Sequence, residues 1–285
     1  LPAAQKFTPD GYATGYGRYA QDVLIPAFIA AYQKQDAGTV PLINQNNSKI
    51  STNPFSGIKA MPNWRATYTG LTRIPSVASK FSNISLSHGY NGTLSMNSYN
   101  SALSFADPLV LSAPGFIDTI SGNYVPFFLV PNITIQEQFM PVFGFDVTTV
   151  SQMNLKFEYR KSRQLSLSLI DYQLSEVKST EWVFGGSFRK RGVRLPFKLP
   201  GMKGKKLEND INLRLDLAFR DDVQSNSRLD QENNYSTGGQ KVITIQPSID
   251  YILNNRFNVK LYFDQRRVIP YISTSAPTVN TRAGI

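Results

Sequence analysis

Few residues in this 285-residue chain have the type and spacing that chemistry requires. There is one histidine, His88, and there is no cysteine. A lone histidine cannot build a multi-histidine metal centre, and without cysteine there is no thiolate site and no disulfide. A catalytic triad needs acid and nucleophile partners that no spacing here reveals, so His88 reads as structural. Asp221-Asp222 places two carboxylates side by side, a start for a calcium site. Calcium takes roughly six to eight oxygens from spaced ligands, and none follow, so the pair reads as the beginning of a solvated loop. Gly185-Gly186 and Gly238-Gly239 lack the strand-to-helix setting and the Lys-Ser/Thr of a phosphate loop. The expectation is a protein without metal, cofactor or enzymatic reaction.

The remaining chemistry is charge. The chain carries a net +10. A basic excess suits nucleic acid, anionic lipid or solubility alone. Nucleic-acid binding wants its cations on a recognition helix or among stacking aromatics, and no such module appears. The densest cluster runs from Arg189-Lys190-Arg191 through Arg194 and Lys198 to Lys203, Lys205 and Lys206. Pro196, Pro200, Gly201 and Gly204 interrupt it, which predicts a loop. Such a loop either stays solvated or docks an acidic partner.

What must position these groups is a set of strands. From Ile211, Leu213, Leu215 and Leu217 to Phe219, apolar residues alternate with Asn212, Arg214, Asp216 and Ala218. Phe257, Val259, Leu261 and Phe263 alternate with Asn258, Lys260, Tyr262 and Asp264. Period two is the strand period. It recurs at Leu155, Phe157 and Tyr159, at Leu165, Leu167 and Leu169, at Trp182, Phe184 and Phe188, and at Ile243, Ile245, Ile249 and Tyr251.

Two settings produce such alternation. One face packs on a protein core, or one face meets lipid while the other meets a wet lumen. Residues 209–221, 240–252 and 256–267 each predict a strand of about 12 or 13 residues, where soluble strands run about 5 or 6 and tilted spanning strands about 9 to 11. Full charges on the intervening face suit a hydrated lumen better than a core. The lipid set is therefore expected at Ile211, Leu213, Leu215, Leu217, Phe219, Phe257, Val259, Leu261 and Phe263. The lumen set is expected at Asn212, Arg214, Asp216, Lys260 and Asp264.

Asn254-Asn255 suits a tight turn, and the Asp-, Asn- and Ser-rich residues 222–238 predict a long polar loop. Pro247 cannot donate a ladder hydrogen bond, which predicts a bulge or a local irregularity. In the first half, 19–35 predicts a short amphipathic helix with Val23, Leu24, Phe28, Ala31 and Tyr32 on one stripe and Pro26 in its first turns. Packing against a barrel is its expected use, and a membrane-surface role is the alternative. Residues 36–60 read as loop. Strands are expected at 64–69, 81–90, 93–101, 133–139 and 143–150, with 102–131 an irregular insertion. The count is about ten or eleven strands in 61–285, after a helix and loop in 1–60.

No segment is long and apolar enough for a membrane-crossing helix. The run Val23 to Tyr32 is about half of the roughly 20 residues required. Mean hydropathy is −0.25, which a barrel reaches when lumen residues offset lipid residues. The opening Leu1-Pro2-Ala3-Ala4-Gln5 has no charged and apolar regions of a signal peptide, so a leader was removed or the chain begins inside a longer one.

Specific strings add to this. Asp10-Gly-Tyr-Ala-Thr-Gly-Tyr-Gly-Arg-Tyr-Ala-Gln-Asp-Val-Leu-Ile-Pro-Ala-Phe-Ile-Ala-Ala-Tyr32 resembles a segment near the C-terminal end of the SprA/Sov family, outer-membrane translocons of the type 9 secretion system of Bacteroidetes. Further similar strings follow in order: Pro62-Asn-Trp-Arg65, Tyr68-Thr-Gly-Leu71, Leu86-Ser-His-Gly-Tyr90, Ile133-Thr-Ile-Gln-Glu-Gln-Phe139 and Phe157-Glu-Tyr-Arg-Lys-Ser-Arg163. Gln173-Leu-Ser-Glu-Val-Lys178, Glu181-Trp182, Tyr271-Ile-Ser-Thr-Ser275 and Asn280-Thr-Arg-Ala-Gly284 complete the set, which covers nearly the whole chain.

The resemblance implies an all-β fold, the C-terminal segment of a very large antiparallel transmembrane barrel with one short helix near its N-terminus. It implies export of folded cargo bearing a C-terminal signal, and gliding motility in some species. The implied partners are a PorV-like small barrel at a lateral opening, a periplasmic plug protein, secretion-motor components and outer-membrane lipid. Two departures are a length far below a complete member and an end at Gly284-Ile285 without a terminal aromatic, so the chain is expected to be a segment. The rival readings are another outer-membrane barrel transporter or receptor, and a soluble β-rich surface domain. With the strand near Thr278 counted as last and its end periplasmic, 268–277 and 222–238 are expected outside the cell. The 254–255 turn and the basic loop 190–208 are then expected in the periplasm.

Overall fold

The computed structural model describes residues 7–41, 61–105, 115–194, 208–231, 234–254, 257–272 and 274–285. The strands are β1 (Asn63–Tyr68), β2 (Phe81–Asn97), β3 (Asn100–Ser101), β4 (Phe128–Leu129), β5 (Asn132–Thr149), β6 (Met153–Ser168), β7 (Gln173–Arg194), β8 (Glu208–Arg228), β9 (Asn234–Asn254), β10 (Phe257–Pro270) and β11 (Thr278–Gly284). Nine of them form one antiparallel sheet in the order β1-β2-β5-β6-β7-β8-β9-β10-β11. Consecutive hairpins explain that order, because an antiparallel neighbour needs only a short turn. The sole jump, β2 to β5, is the insertion that holds the small β3-β4 ribbon. The protein is thus predominantly antiparallel β with few helices. No helix among the described residues is long and apolar enough to cross a membrane, which says nothing of a crossing by strands.

Several strands run further than their alternation predicts. β8 continues to Arg228 and β9 begins at Asn234, so most of 222–238 is strand, with five residues left between the two. Ser225, Asn226 and Ser227 pair with Ser236, Tyr235 and Asn234 on one side and with β7 on the other. Pairing on both edges holds backbone that has no apolar face of its own. At the opposite end β7 reaches Arg194, which makes Lys190 and Arg191 strand residues rather than loop residues. Lys198, Lys203, Lys205 and Lys206 lie outside the described residues.

The first half corrects two expectations. Residues 81–90 and 93–101 are not separate strands, because β2 runs unbroken through Asn91-Gly92. Residues 133–139 and 143–150 likewise join as β5. The irregularities lie elsewhere and face one another, between Ser87 and Tyr90 on β2 and between Phe139 and Phe143 on β5. His88 sits in this kink, its Nδ1 2.6 Å from the Val142 carbonyl. A Cβ on Gly89 would stand 3.1 Å from the Met140 carbonyl oxygen, so the close approach of the two strands calls for glycine there. Pro247 gives an irregularity without a bulge. Pairing of β9 with β10 leaves off at Tyr262↔Ser248 and resumes at Gln265↔Ile245 in the same register.

Helix α1 spans Gln21–Gln33. Its buried residues are Ile25, Pro26, Ile29 and Ala30, whereas Ala31 of the expected stripe is exposed. Ile25, Ile29 and Ala30 form a core with Phe128, Val130, Ile133 and Leu167, flanked by Leu94, Met96 and Leu174. The helix therefore lies across β2, β5, β6 and β7 near one end of the sheet. At about 1.5–3 kcal/mol for each large apolar side chain, burial of this face accounts for its position without a charged anchor. Gln21 adds specificity: its amide donates to the Phe128 carbonyl at 2.8 Å and accepts from the Val130 amide at 2.7 Å.

Candidate functional site: a sheet with two unlike faces

The site is a surface, and register builds it. Residues opposite one another in adjacent strands share a face. Ile211, Leu213, Leu215, Leu217 and Phe219 of β8 lie opposite Lys190, Phe188, Gly186, Phe184 and Trp182 of β7. On their other side they meet Tyr251, Ile249, Pro247, Ile245 and Ile243 of β9. Val259 and Leu261 pair with Tyr251 and Ile249, and Phe263 follows Leu261 by two residues on the same face. Leu155, Phe157 and Tyr159 extend the surface through β6, and Val147, Phe145 and Phe143 through β5. Eight of the nine residues expected to be lipid-facing thus share one apolar face, and the Phe257 side chain lies outside the described part. Leu215 and Leu261 are each 43% exposed, so among the described residues nothing covers the middle of this face, while Tyr251 at its end is buried.

The other face is polar. Asn212, Asp250 and Lys260 form one row across β8, β9 and β10. Arg214 lies beside Ser248, Asp216 beside Gln246 and Gly185, and Asp264 beside Arg282. All five residues expected to face the lumen lie here. Their face is laced with ion pairs: Lys156–Glu158 at 2.9 Å, Arg160–Glu181 at 3.2 Å, Arg189–Asp210 at 2.6 Å and Arg220–Asp222 at 3.0 Å. Asp221 and Asp222 point to opposite faces. Asp221 accepts from the Tyr271 hydroxyl, while Asp222 accepts from Ser179 and Arg220, so the two carboxylates cannot chelate one ion together. Among the described residues no cluster of three or more potential ligands exists.

The apolar face has edges. Along β7, Thr180 precedes Trp182, Phe184, Gly186 and Phe188, and Lys190 ends the series. Ten residues at about 3.3 Å each span about 33 Å. Tilted by about 40°, that is a height of about 25 Å, the height of the apolar band of outer-membrane barrels. Aromatic rings gather along one edge, where Trp182 stacks on Tyr159 at 4.3 Å and Phe143 lies 6.2 Å from Trp182. Beyond that edge the same face turns charged. Arg163 meets Glu176 at 2.6 Å, and Lys178 meets Glu176 at 2.7 Å. Beyond these charges α1 covers the sheet, and Tyr32 donates to Glu137 at 2.5 Å. Burial first, and then this hydrogen bond to a carboxylate, raises the Tyr32 phenol above its usual range.

Connections sort by end. Strands β2, β6, β8 and β10 finish at the α1 end, and β5, β7 and β9 finish at the other. Near the α1 end, Asp118 accepts from the Ser121 hydroxyl and the Ile120 and Ser121 amides, bonds that lower its carboxyl below the usual range. Alternation alone could not locate the aromatic edge, the charged belt or the α1 dock, because each depends on which strands become neighbours. No protein-family model matches the chain, and no curated protein matches it significantly.

Proposed function

We propose that this sheet is a stretch of wall of a transmembrane β-barrel in the bacterial outer membrane, crossing it many times. We further propose that the barrel is the protein-conducting channel of a type 9 secretion system. The observation that carries the membrane part is the separation of the two faces. Strands β6 to β10 alone present an uncovered apolar area of roughly 650 Å², from about 27 Å of strand and about 4.8 Å per strand. The largest patch on a soluble monomer is about 300–600 Å². The opposite face carries paired charges that need water. The translocon part rests on the ordered strings from Asp10 to Gly284, which favour it over another outer-membrane transporter or receptor.

On this reading the chain catalyses nothing and needs no cofactor. Exported cargo with a C-terminal signal passes the polar face. The PorV-like barrel, the plug protein and the motor components are its partners, and the lysines at 203, 205 and 206 are the docking candidates on the periplasmic side. The same apparatus supports gliding in species that glide.

The membrane part is tested by fluorescence in vesicles. The chain has two tryptophans, Trp64 and Trp182. With Trp64→Phe, Trp182 becomes the only reporter, and brominated lipid should quench it. A tryptophan placed at Asp216, with both native ones removed, should stay bright. Equal quenching on the two faces would overturn the reading. The translocon part is tested in cells: a strain lacking this chain should hold signal-bearing cargo in the periplasm, and normal export would refute it.

A further inference from the structure

The apolar face has a gap at Gly186. Its row reads Val147, Leu155, Gly186, Leu215, with bulky side chains on either side. The missing side chain leaves a groove of about 390 Å³, lined by Phe145, Leu155, Phe157, Phe184, Leu215 and Leu217. Nothing in the fold requires glycine there. The backbone is not left-handed, and a Cβ at this position would touch only Leu155 Cδ2, at an ordinary 3.8 Å. Its neighbour Gly185 differs, since a Cβ there would press on Asp216 Oδ1 and Lys156 Cβ, each at 3.3 Å. Glycine inside a strand weakens it, and often marks where something approaches the backbone closely. At Gly186 the space is on the apolar side.

The groove has a cation at its head. Lys161 lies on the same strand and the same face as Leu155 and Phe157. Among the described residues it makes no ion pair, whereas Arg163, two residues on, is held by Glu176. From Leu155 to Lys161 is six residues, about 20 Å along the strand. With a tilt of about 40° this becomes a height of about 15 Å, a little more than half of the apolar band of about 25 Å. The groove therefore sits within a few ångströms of the middle of the band, and the ammonium at one of its edges, the level of one set of headgroups.

We propose that this surface holds one anionic membrane lipid, with an acyl chain in the groove over Gly186 and its phosphate at Lys161. The proposal rests on the membrane reading above. A hydrocarbon tail fits because the side chains that line the groove from this face are apolar and present no donor or acceptor for a peptide; Lys156, which also borders it, belongs to the polar-face row. An anionic head fits because the cation above the groove has no ion-pair partner among the described residues. A lipid with both features satisfies the two ends at once.

The test uses the whole protein in nanodiscs of phosphatidylethanolamine and phosphatidylglycerol, released for native mass spectrometry. The wild type should keep one phosphatidylglycerol. Gly186→Leu, which fills the groove, should lose it, and Gly186→Ala should keep it partly. Lys161→Gln should retain lipid but weaken the preference for phosphatidylglycerol over phosphatidylethanolamine by about fivefold, the value of one lysine near an anionic surface. Equal lipid retention by the wild type and Gly186→Leu overturns the proposal. A photo-crosslinker at Leu217 that captures a protein rather than lipid overturns it as well. If Trp182 is unquenched by brominated lipid, the membrane reading has failed first. If Trp182 is quenched and no lipid is retained, only the groove proposal has failed.

Discussion

The sharpest consequence of the two faces is an inequality between adjacent residues on β8. Leu215 lies on the apolar face between Gly186 and Pro247, and Arg214 lies on the polar face between Ser187 and Ser248. Leu215 is six residues from Asp221, the first charged residue beyond the band on that strand, so it sits about 15 Å below the edge once tilt is included. On the membrane reading that is within a few ångströms of the midplane of a band about 25 Å high, where an arginine facing lipid costs about 2–4 kcal/mol. Leu215→Arg should therefore reduce the folded-to-unfolded ratio by about 30-fold to several hundred-fold. Arg214→Leu gives up the 2.5 Å pair with Asp216. That pair is well exposed, at 66% and 33%, and is worth about 0–1 kcal/mol. The assay is reversible denaturation in phosphocholine vesicles, scored by heat-modifiable migration on gels. The expected order is wild type, then Arg214→Leu close behind, then Leu215→Arg far below. If the two variants were equal, or in reverse order, the assignment of the apolar face to lipid would be wrong.

Three further outcomes follow from the same structure. Ile29→Ala empties a fully buried site under α1 and should loosen the helix by about 2–5 kcal/mol, seen as faster amide exchange over 21–33 with β8 and β9 unchanged; unchanged protection of α1 would refute the dock. Lys203→Glu, Lys205→Glu and Lys206→Glu together should leave assembly intact and lower partner co-purification at low salt, because exposed charges act mainly on association rate and are screened beyond about 8–10 Å; no change in either would make the loop a spacer. Asp118 has a depressed folded pKa, so its turn should hold above the unfolded value of about 3.9 and be lost as pH falls through the lower folded value. The Ile120 and Ser121 amide shifts should follow that midpoint and lose it in Asp118→Asn, and a midpoint above 3.9 would contradict the sign.

Strands whose faces differ were legible residue by residue. Ile211 to Phe219 and Val259 to Phe263 alternate strictly, and register sorts them as period two predicts. Strand held by pairing alone was not legible. Gln224 to Ser227 reads as polar loop because no apolar face marks it, yet β7 and β9 clamp it from both sides. Punctuating residues misled for a related reason, since Asn91-Gly92 pairs in regular register and Pro141 interrupts a strand that its partners keep intact. The buried face of α1 was ambiguous because QDVLIPAFIAAYQ is apolar nearly all round, and only contact with Ile133 and Leu167 selects Ile25 and Ile29. Gly186 looked like half of a failed phosphate loop, and its meaning came from neighbours 31 and 29 residues away, Leu155 and Leu215.

The dock of α1 has a mechanical consequence. On the membrane reading, one rim of the apolar face is closed by a charged belt backed by a packed helix, which cannot enter hydrocarbon without unburying Ile25 and Ile29. At the opposite rim of β7 stands Lys190, whose long stem can bend toward water. The two rims are therefore unequal in stiffness. A bilayer that thickens or thins by a few ångströms will find no give beside α1, and the adjustment will fall on the Lys190 side. The helix thereby acts as a depth stop, fixing the level at which the sheet rides while the other rim takes up the mismatch.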